Sequence, residues 1–285
     1  MPKFLAQGGL GNQLFILSEA INISRENQTC AKICMPNKSQ DSILALKNQI
    51  GNVDIAKSIK EHKLLKCANF LNFRFSEAEI AKFVNSKIRI VESVNMSVSS
   101  ELRPMQSDNR LIVGLFQNHS IVQNAWSTLK KALEWKFDLT EANVRKVIKF
   151  KKYSILHVRR GDYVQNSEHY GLLSLQYYQE ALRYLNYSPI ITTDDLAFAE
   201  RIKAEFRTVQ VIGPDELNSW ETLCAMSVAD ELVTANSSLS WWASYFLTSE
   251  NRTAFLPKPW FRKHNSDSPL VYFPGARLID AKYEI

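Results

Sequence analysis

No window of the 285-residue chain approaches the ~20 uninterrupted apolar residues that would span a bilayer. The opening MPKFLAQGGLGNQLF has no charged lead followed by an apolar core, so it does not read as a secretory signal. Cysteine is scarce: Cys30, Cys34, Cys67 and Cys224. Only the first two lie close together, and no histidine pair stands at zinc spacing beside them. They read as reduced, mostly buried thiols of a cytosolic protein, in which Asn-x-Ser/Thr triplets such as Asn27-Gln28-Thr29 are chance matches. Asp-x-Asp is absent, which removes the simplest divalent-metal clamp for a diphosphate group. Also missing is a basic stretch interleaved with aromatics, so nucleic acid is not an expected partner. There is no internal repeat and no low-complexity tract.

What remains is an ordinary globular composition, 45% apolar and 22% charged, long enough for two domains. Lys and Arg number 35 against 29 Asp and Glu, a formal charge of +6. That surplus suits an anionic ligand and allows weak, peripheral attraction to an acidic membrane surface. In the second half, short aliphatic runs alternate with stretches of helical period. Strands are predicted at residues 154–158, 189–193, 209–212, 231–234 and 253–256, the last stopped by Pro257. Helices are predicted at 175–185, 196–206, 219–228 and 239–247. This rhythm implies a parallel sheet covered by helices, with ligands held beyond the carboxyl ends of its strands. The first half gives strands at 3–7, 30–35 and 111–116 and helices at 14–24 and 121–133. Residues 36–102 carry no clear period. The polar, Lys-rich segment 138–152 reads as a domain boundary, dividing the chain into 1–149 and 150–285.

Four segments carry chemistry, each at the end of a predicted strand. The strongest is His157-Val158-Arg159-Arg160-Gly161-Asp162-Tyr163. Arg159 and Arg160 are planar, permanently charged forks that match phosphate oxygens, Gly161 permits a sharp turn close to a ligand, and Asp162 can hold a guanidinium in plane. A structural Arg–Asp network is the other reading. The second segment, Gly8-Gly9-Leu10-Gly11-Asn12-Gln13, suits anion binding by backbone N–H groups. It fails the dinucleotide fingerprint at Leu14, lacks the later carboxylate, and is not a Walker loop. The third is Asp194-Asp195, whose side chains should diverge if the strand continues. Asp195 could read the edge of a guanine or cap the next helix. The fourth, Thr234 to Trp242, places Ser237 and Ser238 where hydroxyls either bind phosphate or cap a helix. Trp241 and Trp242 read as packing residues.

Taken together, GGLGNQLF (8–15), HVRRGDY (157–163), LLSLQYY (172–178), ITTDD (191–195), DELVTANSSLSWWA (230–243) and LPKPWF (256–261) resemble the galactoside α-1,2-fucosyltransferases, glycosyltransferase family 11. The arginine run is shared with α-1,6- and protein O-fucosyltransferases, and the Ser-Ser-x-Ser-Trp-Trp piece narrows the match. The resemblance implies an α/β, GT-B-like architecture: two Rossmann-type parallel-sheet domains facing a central cleft, the first on the acceptor side and the second binding the donor. It also implies GDP-β-L-fucose as donor, a galactose-containing acceptor glycan and inversion, with no metal or other cofactor. A cytoplasmic location, at the inner face of the membrane if residues 258–264 meet lipid, and a role in O-antigen or oligosaccharide synthesis belong to the same expectation. By position, Arg159 would contact the diphosphate, with Arg160 assisting or bracing. His157 and Asp195 would hold the guanine and ribose side, and Ser237 and Ser238 the phosphates or fucose. Gly9 and Gly11 would line the donor turn, and Asn12 would face the reacting sugar. Asp162, Glu168, His169 and His119 are open candidates for a general base.

Overall fold

The computed structural model describes residues 1–35, 42–57, 88–90, 111–206, 210–262 and 270–284. Residues 58–87, which include Cys67, and 91–110 therefore lie outside the described residues, as do the last two positions, 263 and 264, of the basic segment 258–264. Two compact units emerge, Met1–Lys136 and Phe137–Ile285, each with its own parallel sheet.

The first unit holds β1 (Lys3–Leu5), α1 (Leu10–Glu26), β2 (Ala31–Met35), β3 (Val53–Lys57), β4 (Ile88–Ile90) and β5 (Leu111–Val113). Its sheet order is β3-β2-β1-β5-β4, all parallel. The glycine-rich turn is shorter than the sequence suggests. Gly8 alone takes a left-handed φ of +69°, Gly9 is the extended N-cap, and α1 begins at Leu10, four residues before its predicted start. Gly11 thus lies inside a helix whose residues from Leu10 to Ser24 are buried except the half-buried Asn12, not in an open loop.

The next helix, α2 (His119–Val147), departs most from expectation. It runs 29 residues and continues through much of the segment read as a linker. Phe137, Thr140, Val144 and Ile148 are buried at three- and four-residue spacing, so the polar residues between them form the wet face of a continuous helix. Glu141 and Arg145 pair across one turn of that face.

The second unit continues with β6 (Ser154–Val158), a 3-10 turn (Gly161–Asn166), the single-turn α3 (Ser167–Tyr170), α4 (Leu175–Leu182), β7 (Pro189–Thr193) and α5 (Leu196–Phe206). Then come β8 (Gln210–Ile212), α6 (Ser219–Ser227), β9 (Glu231–Val233), α7 (Ser238–Ser249), β10 (Thr253–Lys258) and β11 (Arg277–Asp280). Its sheet order is β11-β10-β9-β6-β7-β8, again parallel throughout. Read from the other edge, this is the doubly wound dinucleotide-fold order 3-2-1-4-5-6. Every residue of β6 is buried, as expected of a central strand covered on both faces. Leu156, Val158, Ile191 and Val233 pack with Tyr177 and Tyr178 of α4 and with Phe198 and Ile202 of α5.

Pro257 does not stop β10. Beyond Phe255 the neighbouring β9 has ended, and Pro257 pairs only with Ile279 of β11, so the strand has an open side there and tolerates a residue without an N–H. The α6 start is fixed by a reciprocal capping box between Asn218 and Glu221. No helix among the described residues is long and apolar enough to cross a membrane. Of the cysteines, Cys34 and Cys224 are buried but Cys30 is exposed.

Candidate functional site

From β6 the chain of the second unit winds outward through β7 and β8, then returns to lay β9 against the other side of β6. The loops leaving β6 and β9 therefore start from the switch point at the carboxyl end of the sheet, where doubly wound sheets open a crevice for ligands. One loop is His157 to Tyr163. The other is Thr234 to Ser238. Two segments distant in sequence meet at the one place in this sheet where the topology makes room for a ligand.

The paired arginines are not equivalent. Arg160 is the inner one, with a side chain 12% exposed. Its Nε donates to Asp195 Oδ2 at 3.1 Å, and its Nη1 and Nη2 donate to the two oxygens of Glu284 at 2.8 and 3.0 Å. The guanidinium lies 4.0 Å from the centre of the Phe198 ring. Burial works against its charge, but Glu284 and then Asp195 outweigh that effect and raise its pKa. Arg159 is three times as open, at 35%. It donates from Nη2 to Asp162 Oδ1 at 2.6 Å and pairs through Nη1 with Asp194 Oδ2 at 2.7 Å. The Asp162 side chain is 68% exposed, so that partner is the more easily exchanged.

Both aspartates after β7 serve the arginine loop, because the strand does not continue through them. The strand ends at Thr193, whose hydroxyl accepts from Asp195 N–H at 2.8 Å, so the pair sits in a turn where alternation no longer applies. Asp194 also accepts from Arg160 N–H at 2.8 Å. Its carboxylate presses so close to Gly161 that a Cβ there would stand 2.5 Å from Oδ2. Gly161 thus leaves room for this carboxylate, a constraint separate from the sharp turn close to a ligand read from the sequence. Asp195 caps α5, accepting from Phe198 N–H at 3.0 Å through Oδ1, while Oδ2 holds Arg160. Both of its oxygens are engaged.

Beneath the crevice, adjacent tyrosines of α4 stitch the two strand ends in place. Tyr178 donates to the His157 carbonyl at 3.2 Å and Tyr177 to the Thr234 carbonyl at 2.8 Å, both fully buried. Burial raises both phenols' pKa values well above the usual 10, so they remain donors. Tyr163 donates to the Asn236 carbonyl at 3.0 Å, and Asn236 Nδ2 donates back to the Tyr170 carbonyl at 2.9 Å. The two loops form one bonded unit. His157 is 6% exposed, and its Nδ1 has no hydrogen-bond partner among the described residues. Burial, reinforced by Arg159 and partly opposed by Asp194, lowers its pKa to about 4, so it is neutral at physiological pH. Ser237 is the N-cap residue of α7, but its side chain makes no capping bond, so simple capping does not account for it. Ser238 follows it, half-buried, in the first turn. Trp241 and Trp242 are buried packing residues, and the indole N–H of Trp241 donates to the Val271 carbonyl at 2.6 Å.

The sequence profile of glycosyl transferase family 11 matches residues 4–267. The chain belongs to glycosyl transferase family 11. An alpha-1,2-colitosyltransferase of Escherichia coli is 26% identical over 284 residues, covering 92% of each chain. The O-antigen biosynthesis glycosyltransferase WbnK of Escherichia coli is 33% identical over 119 residues, so this chain spans only 39% of that relative's length. Among solved structures, E. coli ADP-heptose lps heptosyltransferase II superposes with a TM-score of 0.51 at 12% identity, over 98% of this chain and 90% of that one. The fold is therefore of the GT-B type, α/β with two parallel sheets.

In this family 11 chain the glycine turn belongs to the first unit and forms a cluster of its own. Asn12 lies in the first turn of α1, and its Oδ1 accepts from Gln117 Nε2 at 2.8 Å. Gln13 donates to the Gly8 carbonyl at 2.9 Å and accepts from Ile43 N–H. These residues gather where the strand order turns back, at the carboxyl ends of β1 and β5. Phe116, buried beside Gln117, adopts a left-handed φ of +57°, an uncommon strain for an aromatic residue. The base candidates scatter. Asp162 is bound to Arg159, and Glu168 is exposed on α3. His169 packs against Tyr170 and Phe261, and His119 begins α2 in the first unit. Glu284, Tyr177, Tyr178 and Gln117 escaped sequence reasoning, and Asp194 was singled out without its role as the partner of Arg159. The two tyrosines lay within a segment already quoted, whereas Glu284 and Gln117 lay in none.

Proposed function

We propose that the chain transfers L-fucose from GDP-β-L-fucose to the 2-hydroxyl of a β-galactoside, with inversion and without a metal. The observation that carries this reading is the pairing, across one topological switch point, of a partly open arginine with the uncapped N-terminus of a twelve-residue helix. A helix N-terminus offers unsatisfied N–H groups and a positive dipole end to an anion. The hydroxyls of Ser237 and Ser238 add donors beside it. As the bond from the sugar to the diphosphate breaks, negative charge grows on the departing oxygen. Arg159, already fixed in orientation by Asp194, would stabilise that charge more in the transition state than before it. His157, neutral and buried, and Asp195 would serve the nucleoside end. Asn12, held by Gln117, would serve the reacting sugar. Asp162 would exchange its ion pair with Arg159 for the incoming phosphate.

The family membership supports glycosyl transfer in general, and the motif resemblance supports fucose and the α-1,2 linkage. A colitosyl donor is the second reading, because a relative that aligns along nearly the whole chain is named for that activity. The deciding experiment incubates the protein with GDP-fucose or a colitosyl donor and a panel of β-galactosides, followed by linkage analysis of the product. Turnover of GDP-fucose to an α-1,2 product is expected. It should persist in EDTA, and collapse there with recovery on adding manganese would refute the metal-free part. Arg159→Ala should lower transfer at least about a hundredfold, the cost of removing one transition-state donor. Unchanged transfer in that variant would leave only a sugar-nucleotide-binding role for the loop.

A further inference from the structure

The segment after β11 reaches back into the arginine loop. Leu173 and Tyr283 form an isolated antiparallel bridge. Around it, Ser174 N–H donates to the Lys282 carbonyl at 2.7 Å and Glu284 N–H donates to the Leu172 carbonyl at 2.8 Å. From the other side, Tyr283 donates its hydroxyl to the carbonyls of Pro259 and Trp260 at 2.8 and 2.9 Å. Arg262 donates to the Glu284 carbonyl at 3.0 Å. Residues 282–284 are therefore a strap tied at both edges, with a reason to lie where they do before any side chain of the arginine loop is considered.

The strap delivers the Glu284 carboxylate to Arg160 in a two-point, fork-to-fork contact. With Asp195 on another edge of the guanidinium and Phe198 against its face, Arg160 is fixed on three sides. Its backbone N–H meets Asp194 Oδ1, and the second oxygen of Asp194 holds Arg159. A continuous chain of bonds thus runs Glu284, Arg160, Asp194, Arg159. Glu284 lies beyond the residues matched by the family profile and outside every motif of the sequence.

We propose that Glu284 is a positioning residue for the arginine loop: it neutralises and immobilises Arg160 so that Arg159 is presented at the switch point in one orientation. The functional side of this proposal rests on reading that loop as the donor's diphosphate site. A guanidinium that is 12% exposed and held on three sides is closed to phosphate, whereas Arg159, at 35%, keeps an open edge and an exposed partner to exchange. The strap therefore also decides which of two adjacent, chemically identical residues is available.

The test uses the full chain with Glu284→Gln, which keeps size and removes charge, and Glu284→Ala. Hydrogen–deuterium exchange is followed without ligand, GDP affinity is measured by calorimetry, and thermal melting monitors the fold. Exchange of amides 159–166 should rise at least about fivefold in both variants while β7 and α6 keep their protection, because the loop opens locally rather than by global unfolding. GDP affinity should fall about tenfold, the scale of one charge-assisted contact. Unchanged loop exchange in Glu284→Gln would overturn the proposal, as would exchange that rises equally throughout the unit. Should Glu284→Ala not fold, Glu284→Gln carries the test alone. If loop exchange rises but the unsubstituted protein binds no GDP, the strap stands and the donor reading falls.

Discussion

His157 offers a test of the site that needs no substrate. It lies at the end of the central strand β6, almost fully buried, beside Arg159 and within reach of Asp194's charge. Desolvation is the main reason its pKa falls from 6.5 to about 4. Between those values the unfolded chain binds a proton that the folded chain refuses, so stability rises with pH across this window and is lost as pH falls through it. The fall from 6.5 to about 4, at about 1.36 kcal/mol for each pH step across the window, gives a loss of roughly 3 kcal/mol between pH 7 and pH 4. The assay is denaturant unfolding at half-unit steps from pH 7.5 to 4.0 for the protein and for His157→Gln. Carboxylates titrate in both and cancel in the difference, so the substituted protein should lose about 3 kcal/mol less over the range. Two curves that run parallel within about 0.5 kcal/mol would show that His157 accepts its proton freely in the fold, and the account of a dry, neutral imidazole at this strand end would fail.

Arg159→Lys should lose most of the transfer activity, because a single ammonium cannot reach Asp194 and a phosphate with the geometry of a fork; near-normal kcat would show that charge alone suffices. Tyr177→Phe removes a buried donor from the Thr234 carbonyl and should cost about 1–2 kcal/mol, a drop in Tm of roughly 2–8 °C by calorimetry. A melting point unchanged by this substitution would mean that the bond does not hold β9 in place. Gln117→Ala frees the Asn12 amide and should lower kcat about ten- to a hundredfold with little change in donor KM, as misplacement of a reacting group does. Equal loss in KM and kcat, or no loss at all, would remove Asn12 from the chemistry.

The alternation of buried strands and amphipathic helices was legible because the central strands are apolar on both faces. SILHV and PIITT need no partner to be recognised. The edge strand β11 was not, since only Ile279 of Arg277–Asp280 is buried and the alternation of one residue is no signal. For α2 the signal existed and was outweighed. Phe137, Thr140, Val144 and Ile148 mark one helical face, but the lysines and carboxylates between them suggested a linker. Lysine and glutamate are good helix formers, and on a long helix they are the exposed face. At the site, residue types at strand ends were readable from spacing alone. Their partners were not: Arg160 finds Glu284 at a separation of 124 residues, and no local pattern encodes that. Gly161 shows the same limit, for its constraint is a carboxylate that arrives from another strand.

The charge count at the crevice sharpens what the loop does. Arg159 and Arg160 are bound by four carboxylates, Asp162, Asp194, Asp195 and Glu284, so the cluster as it stands is formally negative by two. A net positive field therefore cannot be what this loop offers an anion. On the proposed reading its contribution is orientation: Asp194 and the Glu284 strap would convert one of two flexible cations into a fixed fork, and the least buried carboxylate, Asp162, is the one whose displacement would cost least. The positive potential must come from groups that no carboxylate covers, and the uncapped first turn of α7 is the one the topology places alongside. Preorganisation of this kind stabilises charge that develops late, because its cost is met during folding and not during the reaction. That is the requirement of a transferase whose leaving group gains charge only as the sugar departs.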